Sequence, residues 1–419
     1  MSTLAGMCPP ASFRAVADQK REQNAMSTER VAVRVSDAEM KRRWDAVRKL
    51  MQERSIQALV AYHTEDWLGG HARWFTDIPT HNGYGRTVVF HADDLMTVVQ
   101  QGNFRSVRKL DGKDPYHRGV GEIRGTPFFS SVRYTTGFHA EIVREVIKQR
   151  GYRTIGFVLP ETMPHKLVSG IADGFEGLKV IDVTEQIDRL IAIKSPEELD
   201  LLRRSAEMQD DVFAKVVKEI KPGMRDVDVT AMAYGYGWTQ GSSQGIYLGA
   251  SAPVGRPSML MGRHFQDRVL QQGDHMTFLV EVNGPGGYFT EVGRTIVLGR
   301  ASQELKDGFA ATVEAQDHSA NLLRPGTPCS EVAKAHDAFM TARGLPPELR
   351  LYSHGQGYDM VERPLIRIDE PMEVEPGMCL AVHPGFDTPN IFVMVCDNYI
   401  VSGNSTDRIH KTERRIFEV

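Results

Sequence analysis

The sequence predicts an α+β protein, with a C-terminal domain (residues 191–419) of two pseudo-symmetric halves behind a smaller N-terminal α/β domain (residues 36–190). Three observations carry this prediction. Strand-like and helix-like segments alternate through short links as far as about residue 190. A strongly capped helix, Ser195-Pro196-Glu197-Glu198, then opens the second part, with serine at N-cap, proline at N1 and glutamate at N3. Finally, shifting the chain by 103 residues lays Pro222-Gly223 on Pro325-Gly326 and Val229 on Val332, an internal repeat.

In chain order, Ser36-Asp-Ala-Glu39 has capping-box spacing, and Met40, Trp44, Val47, Leu50 and Met51 follow at helical intervals. Apolar runs at Ala58–Tyr62, Thr87–Phe90, Met96–Val99 and Thr154–Leu159 read as strands, with a helix over Glu141–Arg150. The helix from Pro196 buries Leu199, Leu202, Ala206, Met208 and Val212 and stops at Lys221-Pro222-Gly223. A second long helix, Gln303–Leu323, stops in the same way at Arg324-Pro325-Gly326, and each Pro-Gly opens into another helix.

Bulk properties exclude several classes. A chain of 419 residues, 41% hydrophobic and 25% charged, has room for two cored domains. Its formal charge of -4 offers no basic excess for nucleic acid. No apolar run reaches the roughly 20 residues that span a bilayer. The four cysteines (Cys8, Cys329, Cys379, Cys396) lie far apart without a CxxC, as free thiols of a reducing compartment do. Residues 1–35 lack a continuous apolar core and read as a flexible extension rather than a secretory signal. A cytoplasmic protein is expected.

The stretch Val280–Gly299 holds the sharpest chemical signal. It reads as a hairpin turning at Asn283-Gly284-Pro285-Gly286-Gly287, and among its apolar residues sit Glu281 and Glu291. A carboxylate in a buried strand costs several kcal/mol unless a positive group meets it. An arginine such as Arg294, a metal and a substrate are the candidates.

The capped helix after Ile-Lys-Ser, the two helix-Pro-Gly units, Tyr288-x-x-Glu291-x-x-Arg294-Thr, Ser353-His-Gly-x-Gly357 and Glu375-Pro-Gly-Met378 together resemble the pita-bread superfamily. That family includes methionine aminopeptidase, prolidase, aminopeptidase P and creatinase. The resemblance covers roughly residues 36–419, and the N-terminal part is similar to the creatinase and prolidase branch. The family's peptidases hold two metal ions with Asp, Asp, His, Glu and Glu. By resemblance the corresponding positions here are Glu281, Glu291, His354, His383 and Cys396, and a further substrate-binding histidine of the peptidases is replaced by Val361.

These departures imply a single divalent ion, zinc, iron or manganese, on Glu291, His354 and His383, with Cys396 and Glu281 in reach. The alternative is a metal-free pocket like that of creatinase, in which His354 and His383 are acid–base groups partnered by Glu291. Cys396 also reads as a small buried hydrophobe. For substrate binding the candidates are Tyr247, Arg256, Arg263 and His264 in the glycine-rich stretch after Gly245, with Trp67 and Arg86 in the N-terminal domain. Arg256 stands where creatinase has its catalytic histidine. The resemblance also implies a homodimer.

The functional expectation is a non-peptidase hydrolase cleaving a C–N bond in a small, carboxylate-bearing molecule. A metal-assisted lyase, as in the family's dimethylsulfoniopropionate lyases, would use the same residues. An Xaa-Pro metallopeptidase is disfavoured by the changed ligands, and a catalytically inactive binding protein is the remaining reading.

Overall fold

The computed structural model describes residues 33–63, 70–79, 84–127, 129, 132–173, 175–403 and 405–419. The elements up to residue 192 are α1 (Asp37–Glu53), β1 (Ala58–His63), α2 (Gly70–Thr76), β2 (Arg86–His91), β3 (Met96–Gln101), β4 (Val107–Lys109), β5 (Val120–Thr126), α3 (Phe138–Arg150), β6 (Thr154–Val158), α4 (His165–Ala172), β7 (Lys179–Asp182) and α5 (Thr184–Ala192). Their strands form one sheet in the order β4-β5-β3-β2-β1-β6-β7, parallel at β1–β6, β6–β7 and β3–β5. Both faces are covered, which is why β1 and β2 are buried along their whole length. Alternate residues of β1 serve two cores: Leu59 and Ala61 join one, Ala58, Val60 and Tyr62 the other.

The second part runs α6 (Pro196–Glu219), α7 (Asp226–Thr239), β8 (Gly245–Leu248), β9 (Ser251–Ala252), β10 (His275–Asn283), β11 (Phe289–Val297), α8 (Gln303–Leu322), α9 (Cys329–Ala342), β12 (Ser353–Gly355), β13 (Glu362–Leu365), β14 (Cys379–Val382), β15 (Gly385–Asp387), β16 (Phe392–Met394), β17 (Asp397–Val401), β18 (Thr406–Arg408) and β19 (Phe417–Glu418). One sheet pairs β19-β11-β10-β8, with β9 beside β10, and another pairs β13-β12-β14-β17-β18. The 103-residue repeat is present in three dimensions. Helix α7 begins at Asp226 and ends at Thr239, and α9 begins at Cys329 and ends at Ala342, each end displaced by 103 positions. Gly223 and Gly326 both take positive φ, and the bridges Arg225–Val269 and Pro328–Glu373 follow at matching places. Each sheet is pinned by a buried glutamine of its long helix: Gln209 of α6 donates to Val282 O and Thr290 O, Gln316 of α8 to Val382 O.

The capping box at Ser195 forms as expected, and it does more than start a helix. Glu198 returns to the Ser195 N–H at 2.8 Å and also accepts from Arg43 of α1 at 2.9 Å and from the Tyr288 hydroxyl at 3.0 Å. Arg43 is fully buried and bonds Glu39 at 2.6 Å and Tyr288 at 2.8 Å, with Trp74 and Tyr358 rings flanking it. At Ser36 the side chain caps Glu39, but the backbone N–H goes to Glu197 of α6 rather than back to Glu39. His71 of α2 lies between Asp188 (2.7 Å) and Asp359 (3.5 Å), and these carboxylates lift its pKa to about 10 against the opposing effect of burial. The flexible extension expected over residues 1–35 ends earlier on its described side: Val35 is buried and its carbonyl accepts from Arg118, while residues 1–32 lie outside the described set.

Removing Arg43 takes the fully buried cation from Glu39 and Glu198 and leaves them, among the described residues, only Arg42, whose side chain is partly exposed, as a charged partner. Arg43→Met is expected to destabilise the fold by about 3–5 kcal/mol, whereas Lys41→Ala, which breaks only an exposed pair, costs less than about 1 kcal/mol. The urea midpoints of the two variants check this, and equal midpoints would contradict it.

Candidate metal centre

The β10–β11 register sets Glu281 directly opposite Glu291, so both carboxylates project from one face of the sheet. Glu281 is 6% exposed and Glu291 2%. Burial, and in Glu281 the neighbouring Glu291, push both pKa values up, so the pair resists double ionisation. Arg294 does not relieve it. Three residues from Glu291, it projects from the opposite face and pairs with Asp397 at 2.7 Å, both side chains wholly buried. The expectation that Arg294 partners Glu281 is thereby corrected; Glu281 instead accepts from Gln356 at 3.3 Å.

The second sheet brings two imidazoles to the same point. His354 of β12 has Nδ1 against Gly355 O at 3.0 Å, which places the proton there and leaves the Nε2 lone pair facing Glu291. His383 follows β14, its ring 5.2 Å from that of His354. The two Nε2 atoms lie 3.5 and 3.6 Å from the same oxygen, Glu291 Oε1. Burial holds His354 down to about 4 and His383 well below the ordinary imidazole value. Both rings are therefore neutral at pH 7.

These distances are long for hydrogen bonds, and neither Glu291 Oε1 nor His383 Nε2 has a hydrogen-bond partner among the described residues. Ligands about 2.0–2.1 Å from one tetrahedral ion would stand roughly 3.4 Å apart. Glu291, His354 and His383 offer donor atoms all within 4.8 Å of one another. Two neutral imidazoles and a carboxylate suit zinc or iron(II). The residues thus fit one divalent ion, and the fit includes an orphaned carboxylate oxygen that an ion would satisfy.

Of the five aligned positions, Cys396 and Glu281 stand beside this group rather than in it. The Cys396 thiol points to the Glu291 carbonyl at 3.6 Å, and burial together with the nearby carboxylates pushes its pKa well above the ordinary thiol value. Tyr247 pairs with Val280, not Glu281, so the pleat turns it away from the carboxylates towards α7 and its ring meets Tyr234. The neighbour that does share the carboxylate face is Ile246. Arg256, Arg263 and His264 are exposed on the loop between β9 and β10. Arg86 lies in β2 of the N-terminal sheet, outside the group, and Trp67 lies outside the described residues.

The sequence reading missed Arg350 and Glu348. Glu348 receives a two-pronged contact from Arg350 and accepts the Gly385 N–H at 3.0 Å, while Arg350 donates to His383 O at 3.2 Å. The pair clamps both sides of His383-Pro384-Gly385, and the arginine's charge draws Glu291 back towards ionisation. Only the three-dimensional contact distinguishes these residues from an ordinary surface pair.

Residues 200–403 match the model of metallopeptidase family M24. An uncharacterized peptidase, YqhT of Bacillus subtilis, is 23% identical over 342 residues, covering 77% of this chain and 95% of that protein. The Xaa-Pro dipeptidase of Pyrococcus furiosus is 21% identical, covering 65% and 78%. Among solved structures, an X-Pro aminopeptidase of Thermotoga maritima superposes with a TM-score of 0.74 at 16% identity, covering 90% of this chain and 99% of the other. An Xaa-Pro dipeptidase of Bacillus anthracis gives 0.72 at 19%, covering 91% and 100%. The fold is theirs. These relatives are named as peptidases, which overturns the expectation of a non-peptidase hydrolase and lends no support to a lyase. The changed positions still bring three donor atoms, from Glu291, His354 and His383, within reach of one ion. No helix among the described residues is long and apolar enough to cross a membrane.

Stability against pH tests the electrostatics. The raised carboxyl pKa values favour the fold below about 4.5 and lose that contribution as pH rises through the folded values. The depressed histidine values act oppositely, contributing above the unfolded value near 6.5 and losing it as pH falls. Above pH 6.5 the effect of His354 and His383 is saturated, while the carboxyls and the raised His71 act in the same direction, so chelator-treated protein is expected to lose stability with rising pH, by up to about 1.4 kcal/mol per pH unit for each proton lost. Glu281→Gln should flatten that slope in melting curves taken from pH 6.5 to 9; an unchanged slope would show that the pair is not strained.

Proposed function

With residues 200–403 belonging to metallopeptidase family M24 on a prolidase-type fold, we propose that this protein is a metal-dependent peptidase of the Xaa-Pro dipeptidase kind, working with one divalent ion. The observation that carries the proposal is the convergence of Glu291 Oε1, His354 Nε2 and His383 Nε2 on one point. Support for the substrate class comes from the relatives' names.

Held by these three residues, a divalent ion would supply a Lewis acid and lower the pKa of a bound water. The chain's own groups divide the remaining work. His354 is locked by its Nδ1 contact into the tautomer that presents Nε2, and its low pKa suits a ligand better than a proton donor. Proton transfer falls to Glu281, opposite Glu291, whose raised pKa lets it hold a proton near neutral pH and return it to a leaving amine. The Glu348–Arg350 clamp keeps the His383 segment in place. Arg256, Arg263 and His264 remain the proposed anchors for the peptide carboxylate. A homodimer is proposed on the family resemblance, and a cytoplasmic location on the widely spaced cysteines.

Protein reconstituted with zinc, manganese or iron(II) is expected to release proline from Ala-Pro or Leu-Pro. His354→Ala and His383→Ala should each lower the rate by more than about 100-fold, beyond the 10–100-fold typical of residues that only orient ligands. Glu281→Gln should cost about 10²–10⁴ in kcat. Absence of any amino acid released from proline and non-proline dipeptides would sink the proposal.

A further inference from the structure

Glu281 takes a hydrogen bond from a buried chain of polar side chains that the five aligned positions do not include. Gln356, which fills the open position of Ser353-His-Gly-x-Gly357, donates from Nε2 to Glu281 Oε1 at 3.3 Å and to Met360 O at 2.9 Å. Its Oε1 accepts from Nδ2 of Asn398, in β17, at 2.7 Å. Asn398 Oδ1 accepts the Glu291 N–H at 2.7 Å and meets His410 Nε2 at 3.2 Å. The other ring nitrogen of His410 faces Asp210 of α6 at 3.6 Å. Gln356 and Asn398 are wholly buried and His410 is 2% exposed, whereas the Asp210 carboxylate is partly exposed.

A side-chain amide can turn either end to a neighbour, but backbone atoms remove that choice at both amides here. A backbone N–H only donates, so the Asn398 atom that meets Glu291 N is the oxygen. A backbone carbonyl only accepts, so the Gln356 atom that meets Met360 O is the nitrogen. His410 Nε2 faces the Asn398 oxygen and therefore carries hydrogen, whether the ring is neutral or cationic. Every donor thus points the same way, from His410 through Asn398 and Gln356 to Glu281. Bonds aligned in this manner polarise one another, which strengthens the last of them.

We infer that His410, Asn398 and Gln356 form a one-way relay that orients the Glu281 carboxyl, and that they are positioning residues for the proton transfer assigned to Glu281; this rests on the peptidase reading above. A free carboxyl group has two equivalent oxygens. A donor fixed on Oε1 ends that equivalence, so Oε1 is kept as an acceptor and a proton carried by Glu281 sits on Oε2. A group that hands a proton to a leaving amine has to present one oxygen at one angle, and its own rotamer must be locked for that. His410 touches Asn398 rather than Glu281, and acts on the carboxyl through the two amides.

Steady-state kinetics of the metal-loaded full chain on Ala-Pro, with metal content measured alongside, tests the inference. His410→Leu and Gln356→Met should each lower kcat by about tenfold or more while KM and bound metal per chain stay as in the wild type. His410→Gln, which keeps a donor towards Asn398, should recover most of the rate. Lys411→Ala, which breaks only an exposed pair with Glu207, should leave it unchanged. If His410→Leu does not fold, Asn398→Asp, which keeps the shape and removes the donor to Gln356, takes its place. A rate indifferent to these variants, a fall in kcat matched by loss of metal, or no recovery in His410→Gln would overturn the relay. Wild-type protein that releases no amino acid from any dipeptide would end the peptidase reading instead. Crystal structures of His410→Leu and Gln356→Met then decide for the relay: a displaced Glu281 carboxyl supports it and an unmoved one overturns it.

Discussion

Two carboxylates facing each other across a dry antiparallel ladder cannot both ionise without a cation, and the rest of this site is arranged around that constraint. Glu281 and Glu291 are register partners in the interior of the second part of the chain. The charge that would ordinarily relieve them, Arg294, is committed to Asp397 on the other face of the strand. What approaches instead is a pair of neutral imidazoles, and these bring lone pairs rather than charge. A group of lone pairs around an orphaned carboxylate oxygen is a donor set that a divalent ion can take.

The fold delivers that group through a duplicated scaffold. Each half contributes a long helix, a Pro-Gly break, a short helix and a sheet, and the two sheets supply opposite sides of the site. They approach closely at Gly293, which bridges Cys396; a Cβ at Gly293 would sit 2.7 Å from the Met394 methyl and 3.1 Å from Cys396 Cβ. Asn398 of β17 accepts the Glu291 N–H at 2.7 Å, so the second sheet also holds the backbone of the residue that carries the key oxygen. The N-terminal part is tied to this scaffold through Arg43 and Glu198, and through His71 and Asp359, four positions after Gly355.

Much of this was legible in the sequence because it is written in local rules. The capping box at Ser195, the Pro-Gly stops and the apolar strands each follow from a few adjacent residues, and the 103-residue offset survives in the helix ends. Glu291, His354 and His383 could be brought together by resemblance to a known ligand order. Contacts made across the chain were not legible. The partner of Arg294 depended on which face of β11 it occupies, and Tyr247 was misread for the same reason, one step of pleat. Arg350 sits at the site only because Glu348 and Gly385 meet in space, and Cys396 aligned with a ligand position whose side chain turns to a backbone carbonyl. Residue identity alone makes imidazole in place of carboxylate read as a loss of peptidase chemistry; the geometry retains a three-donor site.

The proposed function requires a single divalent ion held by Glu291, His354 and His383. Elemental analysis of protein purified without chelator and dialysed against excess zinc tests it most directly. The account predicts one tightly held ion per chain, lost in His354→Ala and in His383→Ala but retained in Cys396→Ser. Two ions per chain, or an ion content indifferent to both histidines, would contradict it.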